Sequence, residues 1–262
     1  MTSSRTPDAS EEIPAATLVI FRNGRIDERP EILMVVRSRR MSFAGGAAVF
    51  PGGRVDEADR VLARSIAHQW EDDDQAAHRI CAIRETLEET GLAIGFREAI
   101  SAQDAEKARR MLLTEEALQP VLDRFGWTLD LDALTPFARW LPRGITAHRV
   151  FDTWFYLADT GTGNVEITVD ATENTRLFWV SAQAALDMAE SGEISIIFPT
   201  RRNLERLAQF DSYAAAKAQA ERIPVRTITP QTVQIGDRQR LTIPEGLGYP
   251  ITSEDFDDVQ RG

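Results

Sequence analysis

Residues 72–91 constrain the fold of this 262-residue chain more than any other stretch. Asp72, Asp73 and Asp74 open the segment with charges that suit a helix N-terminus, and Gly91 is placed to end it. Between them Ile80, Ile83 and Leu87 recur at i, i+3 and i+7, so a helix over residues 72–90 carries an apolar stripe. Glu85, Glu88 and Glu89 fall at i, i+3 and i+4 and share a second face. Two like charges about 6 Å apart and partly out of water repel by about 3 kcal/mol at an effective dielectric of about 20. A divalent cation removes that repulsion, and hard carboxylate oxygens suit Mg²⁺ or Mn²⁺. A solvated glutamate face, with Arg84 paired to Glu88, is the alternative that the spacing alone leaves open.

The remaining segments predict a sheet for this helix to pack on. Residues 15–22 and 31–37 read as strands joined by the turn-like Asn23-Gly24, and residues 136–141, 150–158 and 176–180 as three more. Residues 101–125 read as an amphipathic helix with a break at Pro120. Ser181 can cap a helix running to about Glu190, Pro199 can open another across 201–210, and Gly236-Asp237 marks a hairpin. Strands and helices interleave without regular alternation, which favours an α/β chain with a mixed sheet over a doubly wound parallel fold. The expected organisation is a disordered lead over 1–14, one domain over 15–210, and a C-terminal helix and hairpin extension over 211–262.

Composition narrows the function by exclusion. A net charge of -11 argues against a nucleic-acid partner, because phosphate contacts need clustered cations. Carboxylates still hold a phosphorylated small molecule when a metal lies between them. Lys107 and Lys217 are the only lysines, so direct phosphate contacts are expected from arginine. No apolar run approaches the roughly 20 residues of a membrane span, and the polar N-terminus has no secretory apolar region. Cys81 is the only cysteine, which excludes an internal disulfide and a cysteine-based zinc site and fits a cytoplasmic setting. His68, His78 and His148 have no metal-site spacing.

The block Arg84-Glu85-Thr86-Leu87-Glu88-Glu89-Thr90-Gly91-Leu92 resembles, position by position, the second half of the signature of the Nudix hydrolases, R-E-U-x-E-E-x-G-U with U aliphatic. Thr86 is the one loose fit. The resemblance implies an α/β/α sandwich and Mg²⁺- or Mn²⁺-dependent hydrolysis of a nucleoside diphosphate linked to another moiety. It makes Glu89 a principal metal ligand, Glu85 and Glu88 further ligands or the partner of the attacking water, and Arg84 the residue that holds them. Gly53 takes the signature's opening glycine, at the metal site, and Asp59 stands where glutamate is usual. Residues 60–83 then intervene, 24 residues where the usual signature has seven, so the motif carries a 17-residue insertion. A second inserted stretch covers about 98–130. Glu173, ahead of Glu166, is the candidate for a further carboxylate ligand from outside the motif.

Leu33-Met34-Val35-Val36-Arg37-Ser38, followed by Gly46 and Phe50-Pro51-Gly52-Gly53, looks like the motif upstream of the Nudix box in coenzyme A diphosphatases. Val35 replaces a threonine there and Ser42 the second arginine, with Arg39 and Arg40 nearby. The long insertion and Arg149-Val150-Phe151-Asp152-Thr153-Trp154-Phe155-Tyr156-Leu157 look like the peroxisomal branch that cleaves coenzyme A and acyl-coenzyme A, over most of residues 15–210. A peroxisomal Ser-Lys-Leu ending is not expected, since the chain ends Gln260-Arg261-Gly262. The resemblance implies products 3',5'-ADP and (acyl-)4'-phosphopantetheine, with Arg37, Arg39 or Arg149 meeting the extra 3'-phosphate. It also makes Phe50 a substrate contact, and Trp140, Trp154, Phe155 and Tyr156 candidates to stack on adenine.

Three other readings stay open. ADP-ribose, NADH, dinucleotides or nucleotide sugars are rival substrates. A catalytically silent module that senses a nucleotide metabolite is a rival of another class. Isomerase chemistry on an allylic diphosphate would need a cysteine, and Cys81 lies inside the helix. The tail from Pro224 either covers the site or pairs with a second copy in a homodimer.

Overall fold

The structure, a computed structural model, describes residues 12–23, 29–38, 46–66, 72–143, 149–160 and 174–256. Expectations placed on Glu166, Glu173, Arg39, Arg40, Ser42, His68, His148 and the Gly24 turn fall outside these residues. Among the described residues, β1 (Glu12–Arg22) runs through the middle of an eight-stranded mixed sheet. It begins three residues before the expected strand, inside the expected disordered lead, because Glu12, Ile13 and Pro14 pair with Val150, Phe151 and Asp152.

On one side of β1 lies β6 (Val150–Asp159), parallel to it over ten residue pairs. Beyond β6 come β5 (Thr135–Trp140), antiparallel, and the short β8 (Thr227–Ile228). On the other side β2 (Glu31–Arg37) is antiparallel and is flanked by β3 (Ala48–Val49) and β7 (Asn174–Val180). β4 (Gly52–Arg54) pairs with the first half of β1, which places the glycine-rich turn beside the sheet's centre. Both faces of β1 are covered: Ala16, Leu18 and Ile20 enter one core and Val19 and Phe21 the other. That two-sided burial explains its nearly unbroken apolar sequence.

α1 (Glu57–Ser65), α2 (Asp73–Thr90), α3 (Ala102–Glu115) and α4 (Leu118–Phe125) pack on the Leu18 face. α5 (Ala182–Glu190), α6 (Phe198–Leu207) and α7 (Tyr213–Arg222) pack on the Phe21 face, completing an α/β/α sandwich. A separate antiparallel sheet of β9 (Gln231–Ile235), β10 (Arg238–Thr242) and β11 (Ser253–Asp255) follows, with Gly236 at φ 60° in the hairpin turn.

The helix break expected at Pro120 falls earlier, at Glu116, which adopts φ 52°. Pro120 sits in the first turn of α4, where a missing N–H costs no helical hydrogen bond. α2 matches its expected bounds: Asp72 accepts from the N–H groups of Asp74 and Gln75, and Gly91, at φ 76°, donates to the Leu87 carbonyl. The single apolar stripe expected for it is too narrow. Every residue from Ala76 to Arg84 is buried, because α1 and α3 cover the side that does not face the sheet.

Candidate active site

The site is built where the last turns of α2 meet β4. Gly52 donates its N–H to Glu89 Oε2 at 2.9 Å. A Cβ at Gly52 would collide with the Ala16 carbonyl, and one at Gly53 would overlap the Glu85 carboxylate. Glycine is therefore needed at 52 for β4 to pass β1, and at 53 it leaves the Glu85 carboxylate in place.

Arg84 organises the acidic groups. Its side chain is buried and binds Asp59 through two parallel bonds, Nε to Oδ1 at 2.9 Å and Nη2 to Oδ2 at 3.0 Å. It also pairs with Glu85 at 3.0 Å and Glu88 at 3.2 Å, and donates to the Arg54 carbonyl at 3.0 Å. Burial opposes the guanidinium charge, but Glu85 and Asp59 outweigh it and raise the Arg84 pKa. The Glu85 carboxyl is pushed up to about 8: burial comes first, Arg84 pulls the other way, and Glu89 and Glu88 add repulsion. The crowding expected from the i, i+3, i+4 spacing is thus present.

Among the described residues, no three histidine, cysteine, aspartate or glutamate side chains converge closely enough to hold an ion between them. Glu85 and Glu88 both turn to Arg84 Nη1, whereas Glu89 turns to the Gly52 N–H, so the three carboxylates are split between two donors. The donor set nonetheless fits a hard divalent cation: three carboxylates on one helix end, two of them sharing a single Arg84 nitrogen, and Gly53 set against the Glu85 carboxylate.

Asp59, separated from Arg84 by the insertion, returns to it. α1 carries Asp59 back against α2, and Asp59 Oδ2 also accepts from the Asp56 N–H at 3.0 Å to close a capping box. The acidic residue three positions after Asp56 was the available signal for α1, a helix absent from the sequence reading. Cys81 is buried, its thiol donates to the Arg54 carbonyl at 3.1 Å, and burial pushes its pKa well up. Its buried position, with the thiol turned to the Arg54 carbonyl, is poorly suited to the cysteine that isomerase chemistry would need.

A cleft of about 80 Å³ opens with Gly52 in its lining. Phe50, Phe151, Phe155, Trp140, Ile197 and Pro199 form its apolar walls. Among the described residues, Arg37 is the only charged side chain that lines it, and its Nε is buried with no hydrogen-bond partner. The structure thus brings Arg84, Glu85, Glu88, Glu89 and Gly53 together and sets Arg37 and Phe50 in the adjoining cleft. Arg149 is exposed just before β6 and does not line the cleft. Of the candidate stacking aromatics, Trp140 and Phe155 reach the cleft, while Trp154 and Tyr156 face the opposite core beneath α2. Ile197, Pro199 and Thr200, from the start of α6, had no signal in the sequence because only the sheet topology brings that helix to β1.

No protein-family model matches the chain. It is 30% identical over 234 residues to the acyl-coenzyme A diphosphatase NUDT19 of Gallus gallus, covering 70% of this chain and 62% of the relative. Similarity to the Xenopus laevis protein of the same name is 24% over 230 residues, covering 69% of this chain and 60% of the relative. The chain therefore spans about three fifths of the length of these curated relatives. Among solved structures, a Nudix hydrolase from Alicyclobacillus acidocaldarius superposes with a TM-score of 0.68 at 27% identity, over 80% of this chain and 97% of that one. Among the described residues no helix is long and apolar enough to cross a membrane.

Proposed function

The chain belongs to the Nudix hydrolase superfamily, and on that premise we propose that it hydrolyses the diphosphate bridge of coenzyme A or an acyl-coenzyme A. The products are 3',5'-ADP and (acyl-)4'-phosphopantetheine. The observation that carries this reading is the aromatic cleft with Arg37 in its wall, which shares Gly52 with the Glu89 carboxylate. A substrate with a long, weakly polar arm and several phosphates matches a site that is apolar on one side of Gly52 and carboxylate-rich on the other. The similarity to acyl-coenzyme A diphosphatases supports the same choice.

Glu85, Glu88 and Glu89 are the residues that would hold Mg²⁺ or Mn²⁺, with Gly53 leaving room beside them. Such an ion supplies Lewis acidity and an activated water for attack on phosphorus. Arg84 holds the glutamate side chains, and Asp59 holds Arg84. Arg37 meets a substrate phosphate, and Phe50 and Phe155 flank the apolar arm while excluding water.

The test is turnover by the purified chain with Mg²⁺ or Mn²⁺ over coenzyme A, acyl-coenzyme A, NADH, ADP-ribose and UDP-glucose, with products identified by mass. We expect cleavage of the coenzyme A compounds, lost in Glu89→Gln with the fold retained. Cleavage confined to ADP-ribose, NADH or UDP-glucose would overturn the substrate. Nucleotide binding with no metal-dependent cleavage would favour a sensor.

A further inference from the structure

The C-terminal end of α2 has a problem that its own sequence does not solve. The last carbonyls of a helix lack intrahelical partners, and that end carries partial negative charge. α2 ends in Glu-Glu-Thr and has no basic residue in its last turn, so its carboxylates stand at the pole that repels them. Thr90 Oγ1 donates to the Thr86 carbonyl at 2.6 Å, and the Gly91 N–H donates to the Leu87 carbonyl at 3.0 Å. The next two carbonyls, of Glu88 and Glu89, are taken by one side chain from α3. Arg109 donates from Nε to the Glu88 carbonyl at 2.8 Å and from Nη2 to the Glu89 carbonyl at 3.4 Å. Arg109 is buried, and its side chain lies against Gly91, where a Cβ would sit 3.8 Å from its Cδ and Nη1.

We propose that Arg109 is a positioning residue for hydrolysis: its planar fork fixes the backbone of Glu88 and Glu89 and thereby sets the direction in which both carboxylates leave the helix. This rests on the proposed metal role of those glutamates. The inserted helix α3 then acts as a brace for the reaction as well as a cover for the core. Lysine is a poorer substitute, because its ammonium sits on a flexible stem and lacks the rigid, pre-organised fork that meets two successive carbonyls.

The experiment compares the full chain with Arg109→Gln and Arg109→Lys by titrating Mn²⁺ and following free ion by electron paramagnetic resonance, well below each protein's Tm. Arg109→Gln is expected to weaken Mn²⁺ binding by about tenfold or more, the range found when a ligand's supporting contacts are removed. It should lower kcat with little change in substrate KM, since Arg109 does not line the cleft. Arg109→Lys should recover part of the affinity while remaining weaker than wild type. A folded Arg109→Gln with wild-type Mn²⁺ affinity and kcat would overturn the proposal. Should Arg109→Gln not fold, wild-type affinity in Arg109→Lys would overturn it equally, because the fork is the argument. Failure of the wild type to bind Mn²⁺ would overturn the metal reading itself and is distinguishable from both.

Discussion

Replacing Asp59 with alanine tests whether the interrupted motif is closed in space. Asp59 is 1% exposed and Arg84 4%, so their two parallel bonds lie out of water. Removing one partner of a buried ion pair costs about 3–5 kcal/mol, because the other charge stays buried. Arg84 would keep Glu85, Glu88 and the Arg54 carbonyl, which argues for the lower end, about 3 kcal/mol. Loss of the Asp59 arm of the α1 capping box adds about 1 kcal/mol. The expected total, about 4 kcal/mol, corresponds to a fall in Tm of about 8–16 °C for a chain of this size. Urea unfolding of wild type, Asp59→Ala, Arg84→Met and the double variant isolates the pair. We expect a coupling of about 2 kcal/mol or more, with the double variant less damaged than the sum of the singles. Additivity within about 0.5 kcal/mol would refute the pairing as a source of stability.

Three further outcomes follow from the same geometry. Gly53→Ala forces the Glu85 carboxylate aside; about 1–3 kcal/mol of stability should be lost in thermal unfolding, and metal-dependent turnover should fall further than that loss explains. Arg37→Leu leaves the apolar walls intact, so the KM for coenzyme A should rise at least about tenfold while Tm stays within a few degrees; an unchanged KM would remove Arg37 from the substrate site. Glu205 pairs with Arg202 at 2.7 Å, and its carboxyl is pushed up to about 7 by burial, against the pull of Arg202 and with repulsion from Glu254. The folded state therefore holds a proton that the unfolded chain releases near 4.5. This contribution is present below pH 4.5 and lost as pH rises to 7, so wild-type stability minus that of Glu205→Gln should decline across that window. Parallel curves for the two proteins would contradict it.

What could be read in advance was local. The cap at Asp72, the glycine at Gly91 and the alternation of apolar residues fix α2 and most of the larger strands through contacts a few residues apart. Asp59's return to Arg84 was hidden because the insertion interrupts the only spacing that announced it. The insertion lengthens α2 backwards and folds α1 against it, so the distance in sequence says nothing about the distance in space. The Arg109 contact was equally invisible, since a guanidinium on one helix reads as a solvated charge until another helix end is placed beside it. Burial of α2 on nearly every side had the same origin: inserted helices supplied a second core that periodicity in α2 alone cannot reveal.

The parallel pairing of β1 with β6 has a consequence for how the molecule assembles and what holds it shut. β1 and β2 form one antiparallel unit and β5 and β6 another, each from segments near in sequence, whereas the β1–β6 register joins Glu12 to Val150 across a long closure. Closing such a loop is entropically costly and comes late in folding. The cleft straddles that seam, with Thr17, Arg37 and Phe50 contributed by the first half and Phe151, Thr153 and Phe155 by β6. A molecule lodged there touches both strands of this long-range joint. Occupancy of the cleft should therefore slow amide exchange along β1 and β6 more than in the peripheral β9–β11 sheet, making the ligand a clasp across two strands far apart in sequence.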